Sequence, residues 1–264
     1  MDISLFMSAA RPKWWKRMHQ SLVGNKCQWE IVAVGPNPPI ETMPDNFRYY
    51  QCDFKPCQCY AAASYFSTGE LIGYCADDVS YSPHALDFIW EAYEKHGKKV
   101  ILTQQTIENG KDVTEEHYFF RRCKNTPQMA PMAFLNRDWF WSLKGYDRNY
   151  ICGQAENSIC IDAQYDGGKI INISESKAFL NHEECHGGIW NKINYRLGKV
   201  SFRNGYYRDR RYLEECYVED GFDTYDEKTL KHGSVSLKRL LPHHPYNYKN
   251  ILTVSQGPQG DWEK

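Results

Sequence analysis

Thr68-Gly69-Glu70-Leu71-Ile72-Gly73-Tyr74-Cys75-Ala76-Asp77-Asp78 is the stretch on which the fold turns. Its apolar run from Leu71 to Cys75 is bounded by Gly69 on one side and two acids on the other, the pattern of a strand buried on both faces. Adjacent carboxylates at the end of such a strand repel each other unless something neutralises them. A divalent cation, Mg²⁺ or Mn²⁺, does so and leaves coordination positions for phosphate oxygens. The plain alternative is a solvated Asp-Asp turn, or a helix N-cap ahead of residues 80–85.

Working outward, the alanines at 61, 62 and 63 with Tyr65 and Phe66 suit a helix that closes at Thr68-Gly69. Nearer the start, Ile3-Ser4-Leu5-Phe6-Met7 reads as a buried strand, Ser8-Ala9-Ala10-Arg11-Pro12 as a turn, and the residues from about Lys13 to Leu22 as an amphipathic helix. Glu30-Ile31-Val32-Ala33-Val34 is a second buried strand, ended by Gly35-Pro36-Asn37-Pro38-Pro39, and Arg48-Tyr49-Tyr50 is a weaker third. Strands alternating with helices predict an α/β fold whose mostly parallel sheet is covered on both faces. In such sheets ligands sit at the carboxyl ends of the strands. The loops 8–12, 35–39 and 76–80 all fall at that edge.

Downstream, strands are expected at Val100 to Thr103 and at Tyr118 to Arg122, a Trp-rich short helix at Arg137 to Leu143, and a turn at Lys144-Gly145-Tyr146-Asp147. Ser158 to Tyr165 reads as a helix ended by Gly167-Gly168, and Lys169 to Ile173 as a strand. Beyond about Gly198 the sequence turns charged and aromatic, then rich in Pro, Asn, Gly and Gln. The expected organisation is therefore one domain over 1–197 and a peripheral extension over 198–264.

Composition sets the outer bounds. With 264 residues, the chain is long enough for a sizeable core. Its 32 Lys+Arg against 33 Asp+Glu give a net charge of -1, which predicts no overall pull toward nucleic acid or an anionic membrane. No apolar run approaches the roughly 20 residues of a membrane span. The strand at 3–7 is too short for a signal peptide, so a cytoplasmic protein is expected, with contact at the inner face of a membrane left open. Ten cysteines without a CxxC pair fit reduced thiols better than a zinc site or a disulfide framework.

The stretch from Thr68 to Asp78 resembles the segment of family 2 glycosyltransferases of the GT-A fold in which a small helix ends in Gly-Glu and a buried strand delivers an Asp-x-Asp motif. Asp78 matches the last Asp of that motif, Asp77 its middle position, and Ala76 stands where the first Asp is usual. The resemblance covers residues 3–188. It implies a three-layer α/β/α sandwich with a nucleoside diphosphate sugar as donor and a glycan or other hydroxyl as acceptor. It also implies Mn²⁺ or Mg²⁺ on Asp78, helped by Asp77. Ser8, Ala9, Ala10 and Arg11 look like the donor-binding loop. Gly35 stands where the family places a base-contacting Asp, and Lys55 where a basic residue approaches the nucleotide.

In the acceptor half, Gly145-Tyr146-Asp147 and Gly153-Gln154-Ala155-Glu156-Asn157 resemble the glycine turn and the acidic pair that opens a helix, which puts Glu156 at the general-base position with inversion of the anomeric centre. The plain alternative for Glu156 is a first-turn acid at a helix N-terminus. His182, with His186 as second choice, looks like the family's late histidine, which completes the metal shell or touches the diphosphate. Trp139 and Trp141 are candidates for stacking on acceptor sugar rings. Two other function classes compete. A nucleotidyltransferase would want a Gly-rich basic loop near the first strand, and residues 8–12 hold one arginine and no glycine. A non-catalytic carbohydrate- or partner-binding relic of the fold would account for Ala76, Gly35 and Ala155 at positions where acids are usual.

Overall fold

The computed structural model describes residues 1–52, 56–115, 129–130, 132–180, 196–197 and 200–217. Lys55, His182, His186, the expected strand at 118–122 and the whole stretch beyond 217 lie outside the described residues.

Strands β1 (Ile3–Ser8), β2 (Trp29–Gly35), β3 (Phe47–Gln51) and β4 (Leu71–Tyr74) run parallel in the order β3-β2-β1-β4. The sheet continues from β4 through β8 (Phe134–Asn136), which is antiparallel to both its neighbours, to β6 (Val100–Glu108) and β9 (Lys169–Leu180), which are parallel to each other. β5 (Val79–Tyr81) closes the order antiparallel to β9, and the short β7 (Lys111–Asp112) pairs with β6. A separate two-stranded ladder joins β10 (Arg196–Leu197) to β11 (Val200–Ser201).

Side-chain alternation along the strands builds a core on each face. On one face Ile3, Leu5, Met7, Ile31 and Ala33 meet α1 (Trp15–Leu22) and α3 (Ala85–His96). On the other, Phe6, Val32, Val34 and Ile72 meet α2 (Pro56–Phe66), α4 (Arg137–Ser142), α5 (Ala155–Tyr165) and α6 (Phe202–Tyr217). The result is the three-layer α/β/α arrangement that the strand pattern predicts. No helix among the described residues is long and apolar enough to cross a membrane.

A buried carboxylate ties the parallel half together. Glu30 Oε1 accepts from Ser4 Oγ at 2.6 Å, Thr68 N at 2.8 Å and Thr68 Oγ1 at 2.7 Å, while Oε2 accepts from Arg48 Nε at 2.7 Å. Burial alone would raise the Glu30 pKa, but these donors and the Arg48 charge hold it below the usual range. Gly69 is required beside this cluster because a Cβ there would lie 2.4 Å from Ser4 N.

Several elements differ from their expected bounds. The first helix opens with a 3-10 turn at Pro12–Trp14 before α1 begins. α5 starts at Ala155 rather than Ser158, which brings Glu156 into its first turn. β9 runs on to Leu180 because β5 supplies it with an antiparallel neighbour. After Asp78 the chain enters β5 rather than a helix. Within the extension expected past Gly198, α6 packs on the domain: Asp209, Leu213, Cys216 and Tyr217 fall at helical spacing and are buried, and the last three join the cluster of α2 and α5. Composition averaged over this charged stretch hides so narrow a stripe.

Gly73, in the middle of β4, would bring a Cβ to 2.3 Å from the Phe134 ring of β8. Gly73→Ala should therefore overpack the core at a cost of about 1–3 kcal/mol. Thermal denaturation should show a melting temperature lower by about 2–4 °C per kcal/mol.

Candidate functional site

The carboxyl ends of β1, β2 and β4 converge on Asp77 and Asp78, each only 2% exposed. Asp77 Oδ2 accepts from the backbone N–H groups of Ala10 at 2.8 Å and Arg11 at 2.7 Å. Its Oδ1 accepts from Arg11 Nε at 2.8 Å and from Arg11 Nη2. Arg11 Nη1 reaches across to Asp78 Oδ2 at 2.8 Å. Burial works against the guanidinium charge, yet attraction to Asp77, its hydrogen bonds and the Asp78 charge outweigh that and push the Arg11 pKa above its ordinary value. The pair is therefore neither a solvated turn nor the N-cap of α3, whose cap position is His84.

The expected donor loop, Ser8, Ala9, Ala10 and Arg11, is fixed by this clasp and by its neighbours. Ala9 N donates to Val34 O at 2.8 Å, and Asn37 Nδ2 donates to Ala10 O at 2.8 Å. Gly35 lies against the same loop: a Cβ there would meet Ala9 O at 1.8 Å. Backbone packing thus explains why no side chain, and so no base-contacting acid, stands at the end of β2. The Gly35 carbonyl is itself used, accepting from Cys52 N at 2.9 Å and Tyr49 Oη at 2.7 Å.

Glu156 is half-buried in the first turn of α5. Its Oε1 accepts from Gln154 N at 3.3 Å, so it does satisfy a helix N-terminal donor. Burial nevertheless pushes its pKa up, the backbone donors at Glu156 and Gln154 oppose the shift, and the Asp209 charge adds to it. Tyr60, Tyr74 and Tyr146 all lie within electrostatic reach of Glu156, and Tyr60 feels Asp77 as well. The Tyr60 and Tyr74 hydroxyls are 3.1 Å apart. Tyr60 is thus a side chain within electrostatic reach of both Asp77 and Glu156.

The two tryptophans separate. Trp139 is buried, its indole N–H donates to Asp166 Oδ2 at 2.8 Å, and its ring lies where a Cβ on Gly168 would come within 2.3 Å. It is a core side chain with no face open to a sugar. Trp141 is half-buried, edge-on to Phe140 at 4.8 Å and to Tyr65 at 6.3 Å. Asp147 anchors its own turn, accepting from Asn149 N at 2.9 Å and from Tyr212 Oη at 3.0 Å. The sequence reading did not single out Tyr60, the Arg11 clasp or Asp209. Tyr74 stood in the opening stretch, one residue before the end of its apolar run at Cys75, and could have been found there.

Among the described residues, no group of three or more His, Cys, Asp or Glu side chains could hold a metal by itself. Hard oxygen donors from one or two carboxylates, completed by substrate phosphates, are the usual protein contribution to Mg²⁺ binding. Asp78 fits that donor set. Asp77 already accepts four hydrogen bonds.

No protein-family model matches the sequence, and no curated protein matches it. Solved structures do resemble the fold. The Staphylococcus aureus TarS 1–349 structure in complex with UDP-GlcNAc superposes with a TM-score of 0.56 at 12% identity, over 69% of this chain and 58% of that one. Its UDP complex gives 0.54 at 12% identity, over 71% and 63%. GalNAc-T7 with UDP, GalNAc and Mn²⁺ gives 0.57 at 12% identity, over 83% and 48%. The chain thus spans little more than half the length of the first of these relatives, 58%. These superpositions show that this chain has a GT-A glycosyltransferase-like fold.

Proposed function

We propose that the protein transfers a sugar from a nucleoside diphosphate sugar to an acceptor hydroxyl, with inversion. The observation that carries this reading is the buried acid pair at the end of β4, clasped to the loop after β1, with Tyr60 of α2 in electrostatic reach of both Asp77 and Glu156. Neighbours of the same fold that hold UDP-GlcNAc, UDP and Mn²⁺ support it.

Ser8, Ala9, Ala10 and Arg11, with Gly35, line the nucleotide side, and Lys55, which lies outside the described residues, is assigned to the nucleotide from its place in the sequence. Asp78 holds Mn²⁺ or Mg²⁺, which when bound supplies positive charge at the departing diphosphate. Asp77 acts mainly by holding the donor loop, and His182 is the further ligand. What supports His182 is its place in the chain, two residues beyond Leu180, whose strand partner Val79 adjoins Asp78. Glu156 takes the proton of the acceptor hydroxyl as that oxygen attacks the anomeric carbon from the face opposite the diphosphate. Burial, with a contribution from the Asp209 charge, raises its pKa and so makes the carboxylate a stronger base than an exposed one. Trp141 remains the candidate to stack on the acceptor. The division at 197/198 stands as a proposal in which α6 belongs with the core.

Calorimetric titration of a panel of nucleoside diphosphate sugars, with Mn²⁺ and then with EDTA, tests the reading. One donor should bind in a metal-dependent way, and Asp78→Ala should lose that binding. Folded protein that binds no donor would instead indicate a non-catalytic relic. Glu156→Gln should keep donor binding and lose transfer by about 10²-fold or more, as removal of a general base does. Unchanged turnover would remove Glu156 from its role. Arg11→Ala leaves two buried acids without their guanidinium and should destabilise the fold by about 3–5 kcal/mol. Added Mn²⁺ should raise its melting temperature more than that of the wild type, and equal shifts would show that no cation takes the vacated place.

A further inference from the structure

We propose that Asp209 is a positioning residue for Glu156: from α6, its buried carboxylate fixes the turn that launches α5 and so sets where Glu156 stands. This deepens the reading of Glu156 as base and rests on it. Asp209 is 0% exposed. Its Oδ2 accepts from three successive backbone N–H groups, Ile151 at 2.7 Å, Cys152, and Gly153 at 3.1 Å, while Oδ1 accepts from Arg208 Nη1 at 2.8 Å. Three consecutive amides converging on one oxygen form an anion-binding nest, filled here by the chain's own carboxylate.

The turn is held from its other side as well. Ile151 O accepts from Cys57 N at 3.0 Å, at the start of α2, and a Cβ on Gly153 would touch the Tyr206 ring of α6 at 3.1 Å. Gln154 follows with φ 74°, a left-handed conformation uncommon for a residue with a side chain. Glu156 comes two residues later. Farther along α5, Tyr217 of α6 donates to Asp162 Oδ1 at 2.8 Å and bonds Ser158 Oγ at 2.8 Å, so α6 also sets the lie of the helix.

Charge gives Asp209 a second handle on Glu156. The groups facing Glu156 are Cys57 and Tyr60 of α2, Tyr74 of β4, Tyr146 of the preceding turn, Cys160 of α5 itself and Asp209 of α6. Burial pushes the thiols and phenols up, so they stay neutral around pH 7. Among these groups Asp209 is the one whose charge acts on Glu156; burial pushes its own pKa up against the three amides and Arg208, and in its ionised form it makes the Glu156 carboxylate harder to form.

Asp209→Asn keeps an acceptor oxygen for the three amides and removes the charge, whereas Asp209→Ala removes both. The asparagine variant should bind donor as the wild type does, and the acid limb of its kcat profile should move to lower pH. The alanine variant should lose about tenfold or more in kcat with donor affinity unchanged. An unmoved acid limb in Asp209→Asn, or kcat within about twofold of wild type in Asp209→Ala, would overturn the proposal. If Asp209→Ala fails to fold, the asparagine profile decides alone. If the wild type transfers from no donor, the base reading itself has failed, and ¹³C NMR titration of the Glu156 carboxyl then decides. A lower midpoint in Asp209→Asn than in wild type supports the coupling, and equal midpoints refute it.

Discussion

Two buried carboxylates side by side at the end of a strand are the constraint around which this site is organised. Unscreened, they would repel strongly at the short distance and low dielectric of their position. Arg11 answers the repulsion with a fork on Asp77 and a third contact to Asp78, and Asp77 also gathers the amides of Ala10 and Arg11. One ion-pair network thus joins the loop after β1 to the end of β4, the two strands that lie adjacent in the sheet. The loop that would meet a nucleotide is consequently preorganised, and its ordering need not be done at the moment of binding.

Close backbone approach is the second determinant. Gly35 and Gly69 sit where any Cβ would strike the backbone of Ala9 or Ser4, so β1, its exit loop, the end of β2 and the end of α2 draw together more tightly than side chains permit. The Glu30 cluster fastens the opposite end of the same strands. Between the two, the proposed donor side of the site rests on strands whose register is held at both ends, a firmer support than a loop alone provides.

The acceptor side is built differently. Its turn and helix are held by α6, through Asp209 on the Ile151–Gly153 amides, Tyr212 on Asp147 and Tyr217 on Asp162. A helix whose sequence reads as charged surface therefore supplies the polar fastenings of the candidate base. Glu156 inherits from that setting both its place and its reluctance to ionise. Buried Tyr60, bonded to Tyr74, lies in electrostatic reach of both Asp77 and Glu156.

The sequence by itself determined the α/β class, the parallel strands β1 to β4 and the position of the acid pair at a strand end, because period-two burial and Gly or Pro punctuation are local properties. It also marked Glu156 within a glycine-led turn, although the helix bound was three residues off at Ala155. Only the tertiary structure decided that Arg11 is the cation on Asp77 and Asp78, that Trp139 is core, and that Asp209 holds the turn before Glu156. These partners are 56 to 67 residues apart in the chain or buried by packing, and no local pattern records a contact that exists only once distant elements have docked. Gly35 shows the same division. Its presence is plain in the sequence, and the reason for it, the Ala9 carbonyl lying where a side chain would begin, is a fact of packing alone.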